Sequence, residues 1–226
     1  MNIQQINFFD RLKEVARSHS QSIALINDEK RILYGEIPEK IIQLVNGMHS
    51  SGIKKGDRVA LLLNNSIEYI LLVAAGFKLG SICVCINTRT GADEVKKVIQ
   101  QTRPRVLIYD PQYQEVANLL KGLLPLGILS VNSNKDGLPS IVPWWDSSSK
   151  DPNLDPPSIH EGAIIIPTAA VGGIPKGALL SQNNILSSVL AHLIHFGEEP
   201  MSGLLSLLVF QSKNFLTIFC PLDSFT

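Results

Sequence analysis

An α/β fold with a largely parallel sheet layered with helices is predicted by three features of this 226-residue chain. Runs without polar alternation recur, as RVALLL (58–63), SICVCI (81–86), RVLIYD (105–110), GILSV (127–131) and GAIIIP (162–167). Segments with helical spacing separate the first four of them, and glycine or polar turn signals punctuate the joins. Strands apolar on both faces need cover on both faces. Parallel sheets provide it, because each parallel connection is long enough to carry a helix.

The elements follow in order. Over residues 5–19, Phe8, Leu12, Val15 and Ala16 recur at helical spacing and predict an amphipathic opening helix. SIALIN and RILY are short β-branched runs on either side of Asn-Asp-Glu-Lys, which reads as a hairpin. A helix follows with Ile41, Leu44, Val45 and Met48 on one face and Gly52 as its stop. After the strand at 58–63, Ser66 is placed to cap the helix IEYILLVAAGFKLG, which Gly80 ends. Residues 91–101 carry acids early and lysines later, the order a helix dipole favours. A further helix is predicted at 112–124, between the strands at 105–110 and 127–131. From 132 to 161 Pro, Ser, Asp and Asn dominate, so this stretch reads as a long connector. Trp144 and Trp145 are expected to pin it to the body, with a stacking platform for a base as the alternative. Beyond the strand at 162–167, GALLS is strand-like and NNILSSVLAHLIHFG reads as a helix ending at Gly197.

Composition narrows the class. Hydrophobic residues make up 45% and charged residues 18%, values of a globular chain. The formal net charge is zero, which offers no electrostatic basis for binding nucleic acid or an anionic membrane surface. Three cysteines form no disulfide framework and fit a reducing compartment. Cys83 and Cys85 fall on one face of a strand and read as core residues, metal ligation being the alternative. His192 and His195 share a helical face but have no third ligand nearby, so they too read as structural rather than metal-binding. The first residues lack the apolar core of a signal peptide, and the apolar helix around Lys78 is too short to span a bilayer, so the expected setting is cytoplasmic.

The stretch PTAAVGGIPKGALLSQNN (167–184) carries the chemical interest. A strand that enters a glycine-rich turn before more sheet is a common place for backbone N–H groups to converge on an anion. The spacing is not that of a Walker A loop, since Ala178 follows Gly177 where a lysine belongs. A dinucleotide fingerprint is absent as well. On local chemistry alone, a phosphate loop and an ordinary tight turn both stand.

The order of residues resembles the phosphate loop of the adenylate-forming (AMP-binding) enzymes, the acyl-CoA synthetase family. There the pattern is Thr-Ser-Gly-Thr-Thr-Gly-x-Pro-Lys-Gly, a short apolar strand, then Thr-His-x-Asn. Thr168, Gly173, Pro175, Lys176, Gly177 and Asn184 match it, and Ser181 stands for the later Thr. Ala169, Ala170, Val171, Gly172 and Gln182 depart from it. Upstream, Asp57, Asn65, Ser66, Glu68, Gly80, Asn87 and Arg89 fall in step with the family's early segment. The likeness runs from about Phe8 to Gly197. It implies the incomplete N-terminal domain of the acyl-CoA synthetase-like fold.

The resemblance further implies an ATP-dependent acid–thiol ligase. Such an enzyme activates a carboxylic acid, fatty or aromatic, with ATP and Mg2+, and passes the acyl-adenylate to coenzyme A. Thr168, Gly172, Gly173, Lys176, Gly177 and Ser181 are then the candidate nucleotide-binding residues. Three hydroxyls are missing from the loop, at Ala169, Val171 and Gly172. Each hydrogen bond to a charged group is worth roughly 1.5–3 kcal/mol, so a slower loop is expected unless the backbone compensates. Residues 1–197 therefore read as a partial N-terminal domain. The tail 198–226 departs from the family pattern and reads as out-of-frame or truncated coding sequence, or else as a divergent helix and strand. The alternative to a ligase is a catalytically incompetent fragment, or a remnant that binds a nucleotide or a partner.

Overall fold

The computed structural model describes residues 7–27, 30–132, 139–167 and 176–196, with two-residue strands at 204–205 and 218–219. Helix α1 (Phe8–Ser18) opens under the Asn7 side chain, which accepts the Asp10 N–H at 2.9 Å. Strands β1 (Ile23–Asn27) and β2 (Lys30–Leu33) form the antiparallel hairpin that their spacing predicts. Helix α2 (Ile37–Ser50) buries Ile41, Leu44, Val45 and Met48, the four residues expected on its inner face. The chain turns at Gly52, where φ is 85°.

Strand β3 (Arg58–Leu62) is followed by α3 (Ile67–Leu79), β4 (Ile82–Cys85), α4 (Ala92–Thr102), β5 (Val106–Tyr109), α5 (Gln114–Leu120) and β6 (Ile128–Ser130). Ser66 caps α3 by accepting the Tyr69 N–H at 3.1 Å, and Gly80 ends it at φ 77°. The helix predicted over 112–124 is shorter. Single 3-10 turns at Pro111–Tyr113 and Lys121–Leu123 flank α5, with Pro111 at one end and Gly122 at the other. Strand β7 (Gly162–Pro167) then pairs with β4, and β8 (Gly177–Ser181) runs back along β7 into α6 (Gln182–Phe196). Two-residue strands β9 (Leu204–Leu205) and β10 (Ile218–Phe219) extend the β1–β2 hairpin into a second sheet, in the order β2-β1-β10-β9.

The main sheet has the order β6-β5-β3-β4-β7-β8 and is parallel except for β8. Its central strands β3, β4 and β5 are largely buried on both faces, as their composition requires, whereas the edge strand β8 is exposed. Val59, Leu61, Cys83, Val106 and Ile108 join one core with α1, α2 and α3. Ala60, Leu62, Val84, Leu107 and Tyr109 join the other with Val95, Val98 and Ile99 of α4 and Ala117 and Leu120 of α5. The chain enters at β3, crosses one face to β4 and returns over the other face to β5. The winding reverses around β3, and ligands of such sheets gather beyond the carboxyl ends of the strands. Strand β8 is antiparallel because residues 168–176 are too few for the helical crossover a parallel partner needs.

The connector is pinned at Trp144, which lies in a 3-10 turn at Val142–Asp146. Trp144 is buried, packs on Gly47 of α2 and donates its indole N–H to Ser51 Oγ at 3.1 Å. That use of the ring leaves no exposed face for a base. Trp145 is half-buried against the same core. Asn46 Nδ2 donates to the Lys150 carbonyl at 3.0 Å, and Lys78 pairs with Asp151 at 3.2 Å, so the strap crosses both α2 and α3. Cys83 is buried and Cys85 half-buried in the same core. Burial pushes both thiols up, Cys85 to about 11 although its hydrogen bond to Tyr69 pulls the other way. The third cysteine and the His192 and His195 side chains lie outside the described residues.

Candidate functional site

Apolar pairing brings the two ends of the glycine-rich stretch together. Strands β7 and β8 pair from Gly162↔Ser181 to Pro167↔Gly177, with a register shift between Gly162 and Ile164, so β7 ends and β8 begins at the carboxyl edge of the parallel sheet. Thr168, Gly172 and Gly173 lie outside the described residues. Lys176 is described and exposed at the mouth of the hairpin. Gly177 has a steric reason to be glycine, since a Cβ there would come within 2.7 Å of Ile165 Cγ2. Its small size lets β8 lie close to β7 and carries Lys176 to the sheet edge.

Ser181 is engaged by the chain itself. Its hydroxyl donates to Asn184 Oδ1 at 2.9 Å and accepts the Asn184 N–H at 3.2 Å, while the Ser181 N–H donates to the same Oδ1 at 2.9 Å. This reciprocal arrangement is a capping box at the start of α6, with Asn in place of the usual Glu. Ser181 and Asn184, both matched on the family pattern, thus have a structural task. Gln182, next to them, is only 3% exposed, and its amide both accepts and donates a hydrogen bond. Nothing in the sequence pattern singles it out beyond its departure from histidine.

The carboxyl ends of β3, β4 and β5 carry a second set of polar residues. The Asn64 N–H donates to Asp110 Oδ2 at 2.6 Å, and the Tyr113 hydroxyl donates to Asn64 Oδ1 at 2.8 Å. Burial pushes the Asp110 carboxyl above its ordinary 3.8, with Glu68 adding to it, against the Asn64 N–H and the Gln112 side chain. Asn87 Oδ1 accepts the Arg89 N–H at 3.0 Å beyond β4. Asp110 and Tyr113 escaped the sequence reading, because only tertiary pairing of β3 with β5 makes them neighbours of Asn64.

Several upstream motif residues also do structural work. Asp57 Oδ2 accepts the Lys54 N–H at 2.9 Å, Ser66 caps α3, Gly80 ends it, and Glu68 accepts from Lys30 Nζ at 3.1 Å. They set the turns that aim the strand ends. Among the described residues no group of three or more His, Cys, Asp or Glu could hold a metal ion. No described helix is long and apolar enough to cross a membrane.

The chain is 28% identical over 174 residues to a feruloyl-CoA synthase from Amycolatopsis sp, covering 75% of this chain and 32% of that protein. It is 25% identical over 195 residues to the long-chain-fatty-acid–CoA ligase FadD13 of Mycobacterium tuberculosis, covering 82% of this chain and 37% of the relative. The chain thus spans about a third of the length of these curated relatives. Its fold is that of a long-chain-fatty-acid-CoA ligase, FadD1, from Archaeoglobus fulgidus, with a TM-score of 0.77 at 22% identity, over 88% of this chain and 41% of that one. The family model for AMP-binding enzymes matches residues 12–218, past Gly197 where the motif likeness was expected to stop. A doubly wound sheet, a glycine-rich hairpin at its carboxyl edge and this match along most of the sequence agree, and the chain belongs to the AMP-binding enzyme family.

Proposed function

We propose that this chain is the N-terminal, phosphate-binding portion of an ATP-dependent acid–thiol ligase of the acyl-CoA synthetase type. The observation that carries the reading is the β7–β8 hairpin, whose register delivers Lys176 to the carboxyl edge of the sheet within the family's loop pattern. In this reading a carboxylate oxygen of the acid attacks the α-phosphorus of ATP, and the bond to the departing pyrophosphate breaks. Negative charge then accumulates on the leaving group, and a cation plus unobstructed backbone N–H groups stabilise it. Lys176 supplies the cation. Thr168, Gly172 and Gly173 supply a hydroxyl and N–H groups with no side chain in the way, and Gly177 closes the hairpin. Ser181 serves through the α6 cap.

The acid, fatty or aromatic, and coenzyme A belong to this proposal as the reactants of such a ligase. Magnesium enters as part of MgATP, and no step is assigned to it. A second reading is favoured by the missing hydroxyls at Ala169, Val171 and Gly172: a remnant that holds nucleotide without turning it over.

MgATP binding and ATP–pyrophosphate exchange with fatty and aromatic acids test both. A ligase portion shows acid-dependent exchange, and Lys176→Ala lowers it by about tenfold or more, the cost of one charge-assisted contact. Binding without exchange supports the remnant. Absence of MgATP binding in the folded wild-type chain overturns both readings.

A further inference from the structure

Strand β8 is paired along its length with β7 but is otherwise thinly covered. It is an edge strand whose partner among the described residues is β7, and Ala178 and Leu179 are exposed, Leu179 at 56%. The body grips it immediately after its last residue. Gln182 Oε1 accepts the N–H of Phe8 at 3.2 Å, and Gln182 Nε2 donates to the carbonyl of Phe77 at 3.1 Å. The Phe8 N–H is among those the first turn of α1 leaves without an intrahelical partner. The Phe77 carbonyl is among those the last turn of α3 leaves likewise. A single amide therefore satisfies one stranded donor and one stranded acceptor on two different helices. The Phe8 and Phe77 rings pack edge to face 5.4 Å apart alongside, and the adjacent Asn183 N–H donates to the Ile159 carbonyl at 2.9 Å.

We infer that Gln182 is a positioning residue for the phosphate loop: its amide anchors the return strand of the hairpin to α1 and α3, and so sets where Lys176 stands. The anchoring is independent of the reading under Proposed function, whereas the consequence for nucleotide rests on it. An amide suits the task because it offers a donor and an acceptor together and does not titrate. An apolar side chain of similar length would strand one buried and one part-buried backbone group, and a carboxylate would lack the donor for Phe77.

Hydrogen exchange of the full chain, with and without MgATP, tests this in Gln182→Met and Gln182→Glu. In Gln182→Met the protection factors over 177–184 should fall by about tenfold or more while those of β3 and β5 hold. In Gln182→Glu the same local loss is expected at neutral pH. It should reverse once the carboxyl is protonated, because the neutral acid again donates and accepts. MgATP affinity should weaken several-fold in Gln182→Met under conditions where the chain remains folded. Unchanged protection over 177–184, or an equal loss across the whole sheet, overturns the anchoring. Local loss with unaltered MgATP affinity overturns the positioning. If the wild type binds no MgATP, the ligase and remnant readings fall, and the exchange data still decide the anchor.

Discussion

At the scale of single residues, position in the sheet decides what a side chain does. Asp110 looks like any acid after an apolar strand, yet it sits at the carboxyl ends of the paired strands β3 and β5 and accepts the Asn64 N–H. Burial raises its pKa above 3.8, so the folded chain binds more protons than the unfolded one between the unfolded and folded values. Stability therefore falls as pH rises through that window, and the penalty persists above it. Asp110→Asn keeps an oxygen for Asn64 and removes the charge. Urea unfolding should show it more stable than wild type at neutral pH, with the gain disappearing below pH 3.8. Asp10 is the opposite case: burial pushes it up, but Lys13 at 2.8 Å, Asn7 and Lys78 outweigh this and the net shift is downward. Asp10 answers chiefly to Lys13 and Asn7, three residues away on either side, whereas Asp110 answers to burial and to Asn64 and Glu68, which are distant in the chain.

At the scale of elements, local signals were legible where the element answers to its own residues. Ser66 and Gly80 bound α3 by capping chemistry that is written in the segment itself. Helix α4 begins with Asp93 and Glu94 and buries Val95, Val98 and Ile99, as its charge order and spacing predict. The strap was legible as a connector pinned by Trp144 and Trp145, but the surface that receives Trp144 was not, since it belongs to α2. A Cβ on Gly47 would run into Trp144 Cγ and lie 2.5 Å from the Trp144 Cβ, too close for either to give way slightly. Gly47→Ala should evict the indole and cost about 3–5 kcal/mol, in the range of losing a buried tryptophan. A fall in the urea midpoint together with a red shift of tryptophan emission would register it. An unchanged midpoint would mean that the strap contributes nothing to α2.

Across the whole molecule, packing is uneven from one end of the sheet to the other. Leu61 in the central strand is 0% exposed and covered on both sides, whereas Leu179 in β8 is 56% exposed and Leu190 in α6 45%. Leu61→Ala should cost about 2–5 kcal/mol, and Leu179→Ser within about 0.5 kcal/mol, read from parallel urea titrations. Equal costs would mean that β8 is as deeply packed as the centre. The candidate phosphate hairpin thus lies at the lightly packed end, where a single buried amide has a large say in its placement.

The amino-acid pattern by itself determined the parallel α/β class, the order of strands and helices along the chain and the register of the Pro-Lys-Gly loop against its family. These depend on hydrophobic period, caps and glycines that act within a few residues. Only the tertiary structure decided that β8 turns back antiparallel to β7, that Asp110 and Tyr113 meet Asn64, that Trp144 closes on Gly47 and that Gln182 ties α6 to α1 and α3. Each of these joins residues 46 or more positions apart or turns on which strands lie side by side. The β7–β8 pairing is short-range and follows from the few residues between the strands. The other contacts are set by which buried surfaces and stranded backbone groups find each other on folding, and no local window of sequence contains both partners.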